Sequence, residues 1–143
     1  MASNSYRANI VNSELAYQHE GIHMKLMVVD DSNVIRRQIK RALSLTDVDI
    51  IADAANGVDA LKCFRNQQPE LVTMDLTMPE LDGLHCIEQI MAINPKTRIL
   101  VISAMADKAT AIEALKKGAQ GFLCKPFSET ELNEALQELI KDD

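Results

Sequence analysis

From Lys25 onward, short apolar runs alternate with stretches whose apolar positions recur every three or four residues. The runs fall at 26–29, 50–54, 71–74, 99–102 and 121–124. Most are apolar without alternation, the pattern of strands covered on both faces. Between them, Ile35, Ile39, Ala42 and Leu43 mark the apolar face of a first helix, and Ala60, Leu61 and Phe64 that of a second. Ile87, Ile90 and Met91 mark a third, Ala109, Ile112 and Leu115 a fourth, and Leu132, Leu136, Leu139 and Ile140 a fifth. Gly57, Asp82 and Ser128 stand where helices begin, and Gly118 after Lys116 and Lys117 is a helix stop. The order is βα five times over, which implies an α/β fold with a parallel sheet and helices on both faces. A doubly wound sheet of this kind gathers its functional site at the carboxyl ends of its strands.

Residues 1–24 differ. They are polar, lack a clean period and hold both tyrosines, Tyr6 and Tyr17. The expectation is a flexible arm, with a short helix over 13–20 as the alternative. His19 and His23 are spaced as a metal pair on a helix would be, but no third ligand stands nearby. The whole chain has 143 residues, room for one domain. Its net charge of −6 argues against nucleic acid as a partner. Aromatic residues are 3% and Trp is absent, so an aliphatic core is expected. Cys63, Cys86 and Cys124 are odd in number and widely spaced, which speaks against a disulfide framework and for reduced thiols. No apolar run approaches the roughly 18 residues of a membrane span, and no secretory signal is evident. A soluble cytoplasmic protein is expected.

The ends of the predicted strands carry the chemistry. Asp30 and Asp31 follow the first, Asp75 the third, Ser103 the fourth and Lys125 the fifth. Three converging carboxylates repel one another unless a cation or protons intervene. Oxygen donors of this kind suit Mg²⁺, which takes one or two carboxylates, waters and phosphate oxygens. A lysine pairs with a carboxylate or a phosphoryl group, and a serine hydroxyl donates to a phosphoryl oxygen. Together the parts match phosphoryl transfer to a carboxylate nucleophile. An acid–base hydrolase fits less well, because no histidine falls at a strand end; His85 lies within the third helix as a solvated or capping residue. Each residue also has a plain structural reading. Asp30 or Asp31 could cap the first helix, Asp75 could be a turn residue, Ser103 could bond backbone, and Lys125 could be a solvated loop lysine. Four strand ends with compatible chemistry are harder to explain that way.

VVDDS at 28–32, MDLTMPELDG at 74–83, ISA at 102–104 and KPF at 125–127 resemble the receiver domain of two-component response regulators. The likeness runs over residues 25–143, in order and in spacing, and its wording is most similar to stand-alone chemotaxis regulators of the CheY type. Receiver domains of chemotaxis methylesterases share much of it. The resemblance implies a flavodoxin-like (βα)5 receiver with strand order 2-1-3-4-5. It implies that Asp75 is the phosphoacceptor, that Asp31 binds Mg²⁺ directly and Asp30 largely through water, and that the Thr77 carbonyl and Asp75 complete the metal site, with Mn²⁺ an alternative ion. Ser103 would hydrogen-bond the phosphoryl group and Lys125 would pair with it, next to a cis Lys125–Pro126 bond. Phe122 matches the aromatic switch position. Thr77 and Met105 would flank the water that attacks in autodephosphorylation.

The function so implied is that of a single-domain signalling switch rather than a conventional enzyme. It would be phosphorylated by a sensor histidine kinase or a small phosphodonor and would read out through a protein-binding face. An output such as a flagellar motor switch component is expected, with a phosphatase as a further partner, no nucleic acid, no membrane and a monomeric chain. Two alternatives stand beside it. One is the receiver of a larger methylesterase or DNA-binding regulator. The other is a pseudo-receiver that takes no phosphoryl group, against which the full set Asp30, Asp31, Asp75, Ser103 and Lys125 speaks. Ser103 stands where Thr is commoner, and Phe122 lacks the hydroxyl of Tyr. Arg36, Arg37, Lys40 and Arg41 form a basic stretch on the first helix, read as a solvated face or, alternatively, a docking face for a kinase or phosphatase.

Overall fold

The computed structural model describes residues 23–44, 46–104 and 108–141. Residues 1–22 of the expected arm at 1–24, with His19, and Met105 lie outside them, and Met24 belongs to β1. Strands and helices alternate: β1 (Met24–Val29), α1 (Asn33–Ala42), β2 (Val48–Ala54), α2 (Gly57–Gln67), β3 (Leu71–Met74), α3 (Gly83–Ile93), β4 (Arg98–Ser103), α4 (Lys108–Lys117), β5 (Gly121–Cys124) and α5 (Glu129–Ile140). The five strands form one parallel sheet in the order β2-β1-β3-β4-β5. β2 starts two residues earlier than the apolar run suggested, because Val48 and Asp49 pair with Met24 and Lys25 although Asp49 is polar.

Alternate residues of the three inner strands feed two cores. Met27, Val29, Val72, Met74, Ile99 and Val101 pack against Phe64 of α2, Ile87 and Ile90 of α3 and Ala114 of α4. Leu26, Val28, Leu71, Leu100 and Ile102 pack against Ile39 of α1 and Leu132, Leu136 and Leu139 of α5. Burial on both faces explains why these strands read as unbroken apolar runs. Each such aliphatic side chain contributes about 1.5–3 kcal/mol on leaving water. The core is aliphatic except for Phe64 and Phe127, both buried.

Side-chain caps set where the helices start. Ser32, Asn56, Asp82 and Ser128 accept from the backbone N–H of Ile35, Asp59, His85 and Glu131 respectively. Ser128 and Glu131 complete a reciprocal capping box. The α1 cap is therefore Ser32 and neither aspartate: Asp30 Oδ1 instead accepts from Ser32 N–H at 2.9 Å, so its carboxylate is turned toward the loop. At α2 the cap is Asn56 and Gly57 is the first helical residue, where a Cβ would lie 2.2 Å from the Leu81 carbonyl oxygen. α4 departs from its expected face. Ala109, Ile112 and Leu115 are all exposed and Ala114 is buried instead, the small side chain lying against the sheet while its larger neighbours face solvent.

Candidate functional site

Register alone brings the polar strand ends together. Val29 of β1 pairs with Met74 of β3, so Asp30 and Asp75 leave the sheet side by side. Asp75 N–H donates to the Val29 carbonyl at 2.9 Å, and Asp30 N–H donates to that of Ala54 at 3.0 Å. On the other side Ser103 pairs with Cys124, and Lys125 N–H donates to the Ser103 carbonyl at 2.9 Å. The sheet thus places residues distant in sequence within one pocket.

Oxygen atoms of Asp30, Asp31 and Asp75 all lie within 4.8 Å of one another. Asp30 and Asp75 are buried, at 1% and 4% exposure, and Asp31 is exposed. Lys125 Nζ stands 2.8 Å from Asp30 Oδ2 and 3.7 Å from Asp75 Oδ2. Asp75 Oδ1 also accepts from Thr77 N–H at 3.4 Å. Burial and the neighbouring Asp30 carboxylate push the Asp75 carboxyl up to about 6, against the lowering effects of Lys125 and of the Thr77 amide. One ammonium is thus set against three carboxylates.

The other expected residues frame this cluster. Ser103 is fully buried at the end of β4. Thr77 is exposed, two residues beyond Asp75. The Lys125–Pro126 bond is cis. Phe122 is half-buried and packs against the core shared by α2, α3 and α4. His85 lies outside the cluster, its Nδ1 3.1 Å from Asp82 Oδ1 and its side chain mostly exposed. The Cys86 thiol is pushed up to about 12 by burial and, less, by Asp82, so it stays protonated.

Two residues of this neighbourhood escaped the sequence reading. Arg36 is not part of a purely solvated face: its Nη1 donates to the Asp30 carbonyl at 2.5 Å. Asp53 on β2 receives Lys40 at 2.5 Å and Arg36 at 3.5 Å. The available signal was the i, i+4 spacing of Arg36 and Lys40 on one helix face, opposite a polar residue in an edge strand.

A parallel sheet of this order, with three carboxylates and a lysine at its strand ends, defines a doubly wound α/β protein with an acidic pocket. The model of the response regulator receiver domain matches residues 26–137. The chain belongs to that family, and its order of strands and helices is that of a flavodoxin-like receiver. It is 40% identical over 118 residues to the chemotaxis protein CheY of Listeria monocytogenes, covering 82% of this chain and 99% of that one. It is 38% identical over 117 residues to CheY of Thermotoga maritima, covering 82% and 98%. A chain of the CheX-CheY-BeF3-Mg complex from Borrelia burgdorferi superposes with a TM-score of 0.83 at 29% identity, over 88% of this chain and 95% of that one. The protein is a response regulator receiver of two-component signalling, similar to stand-alone CheY proteins.

Proposed function

We propose that Asp75 is the phosphoacceptor of a chemotaxis-type signalling switch, with residues 25–143 as the receiver and 1–24 as an extension. The observation that supports this best is the convergence of Asp30, Asp31 and Asp75 within 4.8 Å, facing Lys125. In the reaction, an Asp75 oxygen attacks the phosphorus of a kinase phosphohistidine. A P–O bond forms, the P–N bond breaks, and the histidine leaves. Lys125, between Asp30 and Asp75, is placed to follow the negative charge as it moves onto the phosphoryl oxygens. Ser103, buried at the end of β4, donates to one of those oxygens. With acetyl phosphate the same attack breaks the P–O bond to the acetyl group and releases acetate, which is autophosphorylation; attack of water on the acyl phosphate, past Thr77, releases inorganic phosphate and restores the Asp75 carboxylate, which is autodephosphorylation.

The residues fit a hard divalent cation. The donors are all oxygens, they lie close together, and the buried Asp30 and Asp75 carboxylates share the single ammonium of Lys125. Asp30, Asp31, Asp75 and the Thr77 carbonyl would hold Mg²⁺, with Mn²⁺ also suited to the same set. When bound, the ion supplies positive charge against the clustered carboxylates and the incoming phosphoryl oxygens.

Phosphorylation adds about −1.5 to −2 charge at Asp75. Ser103 is drawn toward it, Phe122 turns into the space released, and the surface of α4, β5 and α5 changes shape. This is a shift between two packings, each present beforehand. Exposed Ile112 and Leu115 give that surface an apolar patch suited to a protein partner. Similarity to CheY proteins supports a sensor histidine kinase upstream and a flagellar motor switch component as output, in the cytoplasm. The Borrelia chain was solved with BeF3 and Mg and beside CheX, which supports the metal and phosphoryl reading and a regulatory partner of that kind.

Transfer of label from a ³²P-phosphorylated histidine kinase domain tests the proposal. Label is expected on the wild type and absent from Asp75→Asn. Equal labelling of the two overturns Asp75 as acceptor.

A further inference from the structure

Arg36 occupies a position that neither packing nor solvation alone explains. Its side chain is 14% exposed. Nη1 donates to the Asp30 carbonyl at 2.5 Å, Nη2 donates to Asn33 Oδ1, and Nε lies 3.5 Å from Asp53 Oδ2. One rigid planar fork therefore joins the end of β1, the first turn of α1 and the edge strand β2.

The carbonyl it holds belongs to the peptide that links Asp30 to Asp31. A peptide unit is planar, so fixing its oxygen fixes the direction in which Asp31 leaves Asp30. The Asp30 side chain has its own anchors in Ser32 N–H and Lys125. Asp31 is exposed, so packing does not hold it, and its placement depends on the backbone beneath it. We propose that Arg36 is a positioning residue for the divalent-cation site: its guanidinium holds the Asp30–Asp31 peptide so that both carboxylates meet at one ion. This inference rests on the reading of Asp30, Asp31 and Asp75 as a metal site.

Charge and positioning make opposite predictions here. A guanidinium beside the cluster repels a divalent cation, so by charge alone its removal tightens binding. If Arg36 positions the ligands, its removal weakens binding. Arg36→Lys separates the two further, because it keeps the charge and loses the fork.

The test is a Mn²⁺ titration of metal-free protein, followed by the electron paramagnetic resonance signal of the free ion. Wild type, Arg36→Lys, Arg36→Gln, Asn33→Ala and Asp31→Asn are compared, with thermal melts in EDTA to establish that each is folded. Both Arg36 variants are expected to bind Mn²⁺ about 10-fold more weakly, the usual loss when the support of a ligand is removed. The charge-neutral Asn33→Ala is expected to weaken binding by a smaller factor, and it carries the test should an Arg36 variant fail to fold. Arg36→Lys with wild-type affinity, or Arg36→Gln with tighter binding, overturns the inference and leaves the metal site standing. A wild-type chain that binds no Mn²⁺, like Asp31→Asn, overturns the metal reading and the inference together.

Discussion

Lys125 Nζ lies 2.8 Å from Asp30 Oδ2, whereas it stands 3.7 Å from Asp75 Oδ2. The lysine is therefore paired first with Asp30 and only second with Asp75, the proposed phosphoacceptor. Asp75, buried beside Asp30 and less fully compensated, is left with its carboxyl pushed up to about 6. The resting site holds an excess of negative charge at the place proposed for a cation and a phosphoryl group, with the ammonium close enough to change partners.

Replacing that ammonium has two separable effects. Lys125→Met is expected to tighten Mn²⁺ binding by about 3- to 10-fold, because a cation that competes for the carboxylates is gone. It is also expected to slow phosphorylation by acetyl phosphate at saturating metal. Parallel Mn²⁺ titrations and phosphorylation time courses check both; weaker Mn²⁺ binding in the variant contradicts this account of the cluster.

The pH dependence of the metal-free protein has a definite sign. The Asp75 carboxyl rises from 3.8 to about 6 on folding. Its contribution to stability is thus fully present below pH about 4 and is lost as pH rises through about 6. Asp75→Asn, which never ionises, is expected to be more stable than wild type by about 1–3 kcal/mol at pH 8 in EDTA, from that shift at about 1.4 kcal/mol per unit. The advantage shrinks toward pH 4. Urea unfolding at the two pH values measures it, and an equal difference at both contradicts the assignment.

The fold was legible because β1, β3 and β4 are buried on both faces and read as unbroken apolar runs. The site was legible because a parallel sheet delivers the residues just past its strands to one edge, so Asp30, Asp75, Ser103 and Lys125 could be grouped by position alone. What escaped depended on tertiary choices between near-equals. Ser32 and two aspartates all suit a helix cap, and only the demand of the loop on Asp30 decides among them. Ile112 and Leu115 have helical spacing, yet the small Ala114 takes the inward position on α4. Arg36 reads like Arg37 and Arg41 until the end of β1 is seen beneath it.

Gly83 couples the fold to the site. A Cβ there would lie 2.3 Å from the Asp75 carbonyl oxygen and 2.7 Å from Leu76 Cα, both backbone atoms with little freedom to move. Gly83→Ala is expected to destabilise the protein by about 2 kcal/mol or more, within the range for overpacking, and to lower Mn²⁺ affinity by displacing Asp75. Denaturant unfolding and the metal titration check the two effects. An unchanged unfolding midpoint contradicts this packing.

Ser128→Ala makes the opposite kind of variant. It removes the capping box of α5 and is expected to cost about 1 kcal/mol. Mn²⁺ affinity should be unchanged, since the box lies outside the carboxylate cluster. A shift in affinity comparable to that of the Arg36 variants contradicts this separation of stability from site geometry.

The central claim is that Asp75 accepts a phosphoryl group in a metal-dependent step. Intact-mass spectrometry after incubation with acetyl phosphate, with and without Mg²⁺, on wild type and Asp75→Asn, tests it most directly. The account predicts a single phosphoryl adduct on wild type that requires Mg²⁺ and is absent from the variant. An adduct that persists in Asp75→Asn, or no adduct on a wild-type chain that binds the metal, contradicts it.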